Sequence, residues 1–486
     1  MRRQNLVFGS LLTLYFFLWS TLPAPLAPSF PLDVIEGINW GREWQWGYYK
    51  HPPLPSWLLA AFFQMLGHIG PYVLSQLCII ATLLMVYQLG RRIVSRQKAL
   101  TGSLLLLAVF YYTWPTLEFN HNIAQLPIWA GICLAFYHAW HDDRRSAWIW
   151  LGVWAGLGLL TKYSVALLLI TLLLYSLVSK QRSRWLTLNP WLAIALMTLI
   201  FLPHLIWLAT HDWLPFTYAM GRSGEAENSG GRLNAFKFLG TQAVNHLILM
   251  IMVLACGVYR YWRRPISLSH DEKMLLVMAF GPALLTLSLG LLFGIGLRDM
   301  WGTPMWNYSG IVLLLFIDDA DMAVLGKRLY TGLSLFLILI TLVMALYTAA
   351  GARLTGKPGR MHWPQADLSL QAQQTWQSLS HCPLDSVGGQ YWLAGLITTD
   401  AKSHPSLLIA SNAAFSPWMN AQRIESRGLL QVWREGERDE MPYLDQPNIA
   451  ALATAEGVWQ FAWPKNPGRE PLIVHWRAYV PIDCRR

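Results

Sequence analysis

Residues 147–178 read AWIWLGVWAGLGLLTKYSVALLLITLLLYSLV, two apolar runs joined at Thr161-Lys162-Tyr163, with Lys162 as their one charge. Neither run has the polar face that a helix on a soluble core turns to water. At about 1.5 Å rise per residue each falls short of the ~30 Å hydrocarbon core of a bilayer, so tilted or broken helices are expected. The chain repeats the pattern, with apolar segments near 6–22, 71–90, 99–115, 123–140, 147–161, 164–178, 188–208, 238–258, 274–297, 303–317 and 329–350. Hydrophobic residues make up 54% of the 486 and charged residues 13%, against about a quarter charged in soluble domains. Two or three soluble domains are thereby excluded. The fold class expected is a multi-pass α-helical membrane protein of about 11 spans. The first segment follows Met-Arg-Arg but lacks a small-residue cleavage site and runs into Pro23, Pro25 and Pro28, so it reads as an uncleaved span.

The net charge of +10 informs orientation rather than nucleic-acid binding, because short cytoplasmic loops collect Lys and Arg. With the N-terminus inside, the inner loops hold Arg2, Arg3, Arg91, Arg92, Arg96, Lys98, Arg144, Arg145, Lys180, Arg182, Arg184, Arg260, Arg263, Arg264, Lys273, Lys327 and Arg328. The outer loops hold only Arg42, Lys50, Lys162, Arg222, Arg232, Lys237 and Arg298, so the count is 17 against 7. The orientation expected is N-in, C-out. Residues 1–351 then form the transmembrane domain and 352–486 an outer soluble domain, with strands suggested by Leu407–Ala410 and Leu472–His475 and a helix by Gln371–Ser380. A small α/β domain fits that tail. Cys382 and Cys484 both fall in it, outside the cytoplasm, where a disulfide persists, and they are expected to pair. There is no internal repeat, no Gly-rich phosphate loop and no Cys/His spacing of a zinc site.

Outer loops so poor in cations make their polar residues conspicuous. The segment Asp33–Pro53, DVIEGINWGREWQWGYYKHPP, carries Asp33, Glu36, Arg42, Glu43, Lys50 and His51 among aromatics. Read alone it is an interfacial loop with anchoring Trp and Tyr and solvated charges, or a set of acids and bases at the membrane surface. Asp33 followed fourteen residues later by Gly47-Tyr48-Tyr49, then His51-Pro52-Pro53-Leu54, resembles the first external loop of polyprenyl-phosphate-sugar-dependent glycosyltransferases of the GT-C fold, family-39-like. These are similar to protein O-mannosyltransferases and the lipid A aminoarabinose transferase. Phe119-Asn120-His121-Asn122 leading to Trp129, Gly156 through Thr161-Lys162-Tyr163, and Pro203 through Trp207 to His211-Asp212-Trp213 and Phe216 match later pieces, in order, across most of residues 1–310. The chain departs from the pattern at Val34 and Lys50, where relatives often have acids, and at Asn122, where a second external acid is common.

The resemblance implies transfer of a sugar from a polyprenyl phosphate to an acceptor on the outer face, in the bacterial inner membrane, with the C-terminal domain periplasmic. The partners it implies are the lipid-linked donor, a glycolipid or protein acceptor and the bilayer; no nucleic acid or cofactor is implied, and no metal is indicated. A hydroxyl acceptor must lose a proton as it attacks, which needs a carboxylate base. The departing phosphate gains charge that fixed cations stabilise. By its match to the family position, Asp33 is expected to be the base, its alternative being an N-cap for a helix starting near Val34. Glu36 is a second acid or the partner in a capping box. Lys50, His51, Lys162 and Arg298 are expected at the donor phosphate. Lys162, between closely joined apolar runs, must snorkel, pair or bind an anion. For Arg298 the alternative is a salt bridge to Asp299 or another acid. Arg42, Glu118, His121, Asn122, Tyr163, His211 and Arg222 are candidates for contacting substrate. Tyr163 and His211 have helix capping as the alternative.

The stretch His211–Lys237 is polar and Gly-rich, and is expected to form a lid over the donor. A transporter or flippase would place ionisable residues at mid-membrane in related halves, whereas these sit at span ends on one side. A scaffold anchored by eleven spans has far more anchor than it needs. Lipopolysaccharide (lipid A, core or O-antigen) is the favoured acceptor and protein hydroxyls come second.

Overall fold

The computed structural model describes residues 2–227, 232–262, 267–410, 412–437 and 444–486. Contacts divide it into two compact units that do not follow chain order. One comprises Met1–Ser20, Trp46–Pro55 and Val73–Thr341, the other Thr21–Gln45, Ser56–Tyr72 and Leu342–Arg486. A division at 351, read from composition, therefore differs from the division by contacts. Composition registers polarity along the chain, whereas the second unit draws in two earlier segments through packing.

The first unit is helical. Five helices among the described residues are long and apolar enough to cross a membrane: Leu54–Ile93, His121–Asp142, Leu188–Thr210, His270–Phe293 and Asp319–Thr355. Two bent pairs, Arg96–Ala108 with Phe110–Leu117 at 88° and Leu233–Asn245 with Leu247–Ala255 at 48°, raise the number to seven. Leu6–Thr21 and Val165–Val178 are shorter apolar helices, and Arg145–Leu159 is another. Breaks thus occur where the run lengths require them. Leu199, Leu202, Leu205 and Ile206 form an exposed apolar stripe on Leu188–Thr210. Such a stripe would be a liability in water but matches lipid tails. The expected span 303–317 is instead a 3₁₀ turn, Asp299–Trp306, followed by Ser309–Leu315, with Pro304 inside the turn denying a backbone donor.

The second unit carries a five-stranded sheet: β1 (Ser386–Gly389), β2 (Ser406–Ile409), β3 (Leu429–Arg434), β4 (Ala453–Phe461) and β5 (Leu472–Tyr479), ordered β2-β1-β3-β5-β4. β1 pairs in parallel with β2 and β3, and β5 pairs antiparallel with β3 and β4. The strands expected at 407–410 and 472–475 and the helix at 371–380 correspond to β2, β5 and Gln365–Leu379. Leu408, Met419, Ile424, Leu429, Ile449 and Tyr479 form a buried core cluster of this unit. Cys382 and Cys484 are bonded, their Cα atoms 5.4 Å apart.

Candidate functional site

In the first unit the segment Trp46–Pro55 packs against the Thr-Lys-Tyr turn. Gly47 has no room for a side chain, since a Cβ there would lie 2.3 Å from the Trp207 ring. Tyr48 and His51 exchange backbone hydrogen bonds of 3.0 and 3.2 Å, and the Leu54 amide donates to the Leu160 carbonyl at 3.1 Å. This closes a tight turn that holds Lys50 and His51 beside the turn carrying Lys162. On the helix His121–Asp142, Asn120 caps the N-terminus by accepting from the amides of Asn122 and Ile123. That cap fixes His121 and Asn122 at the same place.

Four basic groups converge there. The His51 and His121 rings lie 4.1 Å apart, and His121 Nε2 donates to the Pro52 carbonyl at 3.3 Å. Lys162 Nζ donates to Asn122 Oδ1 at 2.5 Å, and Lys50 Nζ lies 5.0 Å from the Tyr49 ring and 5.6 Å from Tyr218. Burial, followed by the charges of His121, Lys162 and Lys50, holds the His51 imidazole well below its usual pKa. Asn122 orients the Lys162 ammonium through a neutral amide oxygen.

Tyr163 lies on the same turn and donates through its hydroxyl to His204 Nε2 at 2.8 Å. His204 Nδ1 donates in turn to the Trp46 carbonyl at 2.5 Å. This chain ties the Trp46 loop to the turn, and His204 is absent from the sequence-based candidates. Its signal was available: a histidine in an apolar helix, three residues before Trp207. His211 stacks on Trp207 at 4.3 Å and donates from Nδ1 to the Trp207 carbonyl at 2.9 Å, ending the helix Leu188–Thr210. The capping alternative describes it. Glu118 is half-buried directly after the 3₁₀ turn Trp114–Leu117. Arg298 is half-buried and precedes the turn Asp299–Trp306. Arg222 belongs to the helix Leu214–Glu227, its side chain lying outside the described residues, as do residues 228–231 of the expected lid. On either side the lid stretch is helical rather than a loop, as Leu214–Glu227 and Leu233–Asn245.

Asp33, Glu36 and Arg42 belong to the second unit. They lie on the helix Leu32–Arg42, whose N-cap is Pro31 without a side-chain cap. Asp33 therefore sits in the first turn and is not the cap, and the capping box with Glu36 does not form. A first-turn carboxylate still interacts favourably with the helix dipole. Glu36 is buried. Arg42 donates to the carbonyls of Thr398 and Thr399 at 2.9 and 3.0 Å and lies over Phe63. It thereby caps the helix Tyr391–Asp400, which gives it a structural place. Burial pushes the neighbouring Glu43 carboxyl up, opposed by a hydrogen bond from Ser406 and by Arg423. Among the described residues no group of three or more His, Cys, Asp or Glu is arranged to hold a metal ion.

A profile of the dolichyl-phosphate-mannose-protein mannosyltransferases matches residues 50–207, the stretch from Lys50 through Trp207 that builds the basic cluster. The chain is 28% identical over 463 residues to the lipopolysaccharide core galacturonosyltransferase RgtB of Rhizobium johnstonii, covering 89% of this chain and 88% of that one. Over 194 residues it is 29% identical to the undecaprenyl phosphate-alpha-4-amino-4-deoxy-L-arabinose arabinosyl transferase of Pseudomonas savastanoi pv. phaseolicola, covering 38% of this chain and 36% of the relative. The crystal structure of ArnT from Cupriavidus metallidurans bound to undecaprenyl phosphate shares the fold, with a TM-score of 0.66 over 98% of each chain at 14% identity. The chain is a multi-pass membrane glycosyltransferase of the GT-C fold.

Proposed function

We propose that the protein moves a sugar from a polyprenyl phosphate to lipopolysaccharide on the periplasmic face of the inner membrane. The observation that carries this reading is the convergence of Lys50, His51, His121 and Lys162 at the Thr-Lys-Tyr turn, with Asn122 orienting the Lys162 ammonium. The phosphate leaving the sugar gains charge, and cations already fixed in place stabilise it without reorganising. In this reading side-chain cations meet that charge. Asp33 is assigned as the base that takes the acceptor proton, with Glu36 as a second acid. Similarity to RgtB along most of the chain favours the core oligosaccharide as acceptor and galacturonic acid as the sugar. The mannosyltransferase profile supports protein hydroxyls as the second reading.

The test is mass spectrometry of envelope glycolipids from cells making wild type, Asp33→Asn protein or neither, with protein levels matched. A sugar-sized increment on lipopolysaccharide with wild type alone is expected. Identical glycolipids in all three, with the lipid-linked sugar confirmed present, would overturn the lipopolysaccharide assignment and direct the search to glycosylated proteins.

A further inference from the structure

The helix His121–Asp142 carries the basic cluster at its first turn; near its far end a pocket of about 220 Å³ opens against the helix Arg145–Leu159. On the count of loop cations this end faces the cytoplasm. The pocket has an apolar wall and a polar rim. A Cβ at Gly131 would stand 2.7 Å from the Trp154 indole, so that ring lies against bare backbone and forms the wall with Leu134. At the rim are His138, Arg144 and Ser146. We propose that this pocket binds an anionic glycerophospholipid, its phosphodiester at Arg144 and His138 and the start of one acyl chain along Trp154.

Charge supports that occupant. The Asp142 carboxylate is already shared by His138 and His141, each at 2.8 Å, and by Arg144 at 3.6 Å and Arg92 at 3.8 Å. Because Asp142 takes Nδ1 of His138, Nε2 is the nitrogen available to a ligand. Asp143 accepts from Trp148 Nε1 and Asn189 Nδ2, and Asp271 stands 3.8 Å from His141. Arg92, Arg144, Arg145 and Arg184, the last bonded to the Ala139 and Trp140 carbonyls, outnumber those three acids. The lining also includes Ser146 and Ala147 in the first turn of Arg145–Leu159, the positive end of that helix's dipole.

Size and position fit the same ligand. The volume is below the roughly 300–1,000 Å³ of pockets that enclose a whole molecule, so this one seats a headgroup and leaves the rest of the lipid in the bilayer. Trp150 on its edge is exposed, as an indole at headgroup depth would be. Basic pockets between spans on the cytoplasmic side hold anionic headgroups. The proposal stands apart from the transfer reaction.

The test uses the full-length protein, delipidated in detergent and offered phosphatidylglycerol or phosphatidylcholine at equal concentration, with bound lipid counted by native mass spectrometry. One phosphatidylglycerol retained in preference is expected. Removing one arginine charge near the surface should weaken it about fivefold, so Arg144→Gln should show that loss while Arg145→Gln on the same turn retains more. Equal retention of the two lipids by wild type would overturn the proposal. So would unchanged retention in Arg144→Gln. Displacement of the lipid by soluble glycerophosphoglycerol at matched concentration would show an anion site with no role for the chain, and would equally overturn it.

Discussion

Lys162 and Asn122 form a pair whose chemistry depends on one atom. The amide oxygen at 2.5 Å orients the ammonium without adding a charge of its own. Asn122→Asp should convert the contact into an ion pair and raise the KM for donor, with the protein still folded. Lys162→Met, which keeps the aliphatic stem, should lower kcat/KM on the order of 10²-fold, the scale for losing one group that stabilises developing negative charge. Unaltered kinetics in both variants would mean the phosphate lies elsewhere. His51 gives the pH dependence. Its folded-state pKa is held well below the ordinary value by burial, His121 and the two lysines, while the unfolded chain binds a proton as pH falls through about 6.5. The unfolded state then holds more protons, so stability decreases as pH falls below about 6.5. The unfolding midpoint of wild type should drop between about pH 7.5 and 5.5, and His51→Gln should flatten the drop.

Elements show which residues act through packing. On Leu32–Arg42 a Cβ at Gly41 would meet the Ser56 carbonyl oxygen at 2.0 Å, and one at Gly37 would meet Leu59 at 2.7 Å. Backbone cannot yield as a side-chain tip does, so Gly41→Ala should destabilise by about 1–3 kcal/mol, read as a lower melting temperature. Little of this was legible beforehand. The segment Asp33–Pro53 reads as an interfacial loop or, in the alternative, as a short helix starting near Val34 with Asp33 as its cap, whereas the helix starts at Leu32. The basic cluster was more legible, because Lys50, His51 and Lys162 are conspicuous cations in outer loops that have few. What brings them together was not, since it rests on the Asn120 cap, the Leu54–Leu160 backbone bond and the Tyr163–His204–Trp46 chain. The Leu54–Leu160 and Trp46–His204 contacts join residues over a hundred positions apart, and periodicity within one segment carries no information about them.

At the scale of the whole chain the apolar runs foretold helices, and the change of composition after residue 351 foretold a small α/β domain. The interleaving of the two units was not foretold, because the segments 21–45 and 56–72 resemble their sequence neighbours in composition and join the tail only by contact. The disulfide tests how far the tail depends on local restraint. Cys382 and Cys484 are 102 positions apart, and closing a loop of about 100 residues removes chain entropy worth about 4.7 kcal/mol from the unfolded state. Replacing both with Ser should therefore make residues 352–486 much more susceptible to limited proteolysis at 37 °C. Donor binding should respond differently, since Lys50, His51, His121 and Lys162 belong to the other unit and make their mutual contacts there. Undecaprenyl phosphate binding is expected to persist in the double variant while the tail is cut. Simultaneous loss of both would show that the units unfold as one cooperative body, so that the disulfide stabilises the transfer site as well as the sheet.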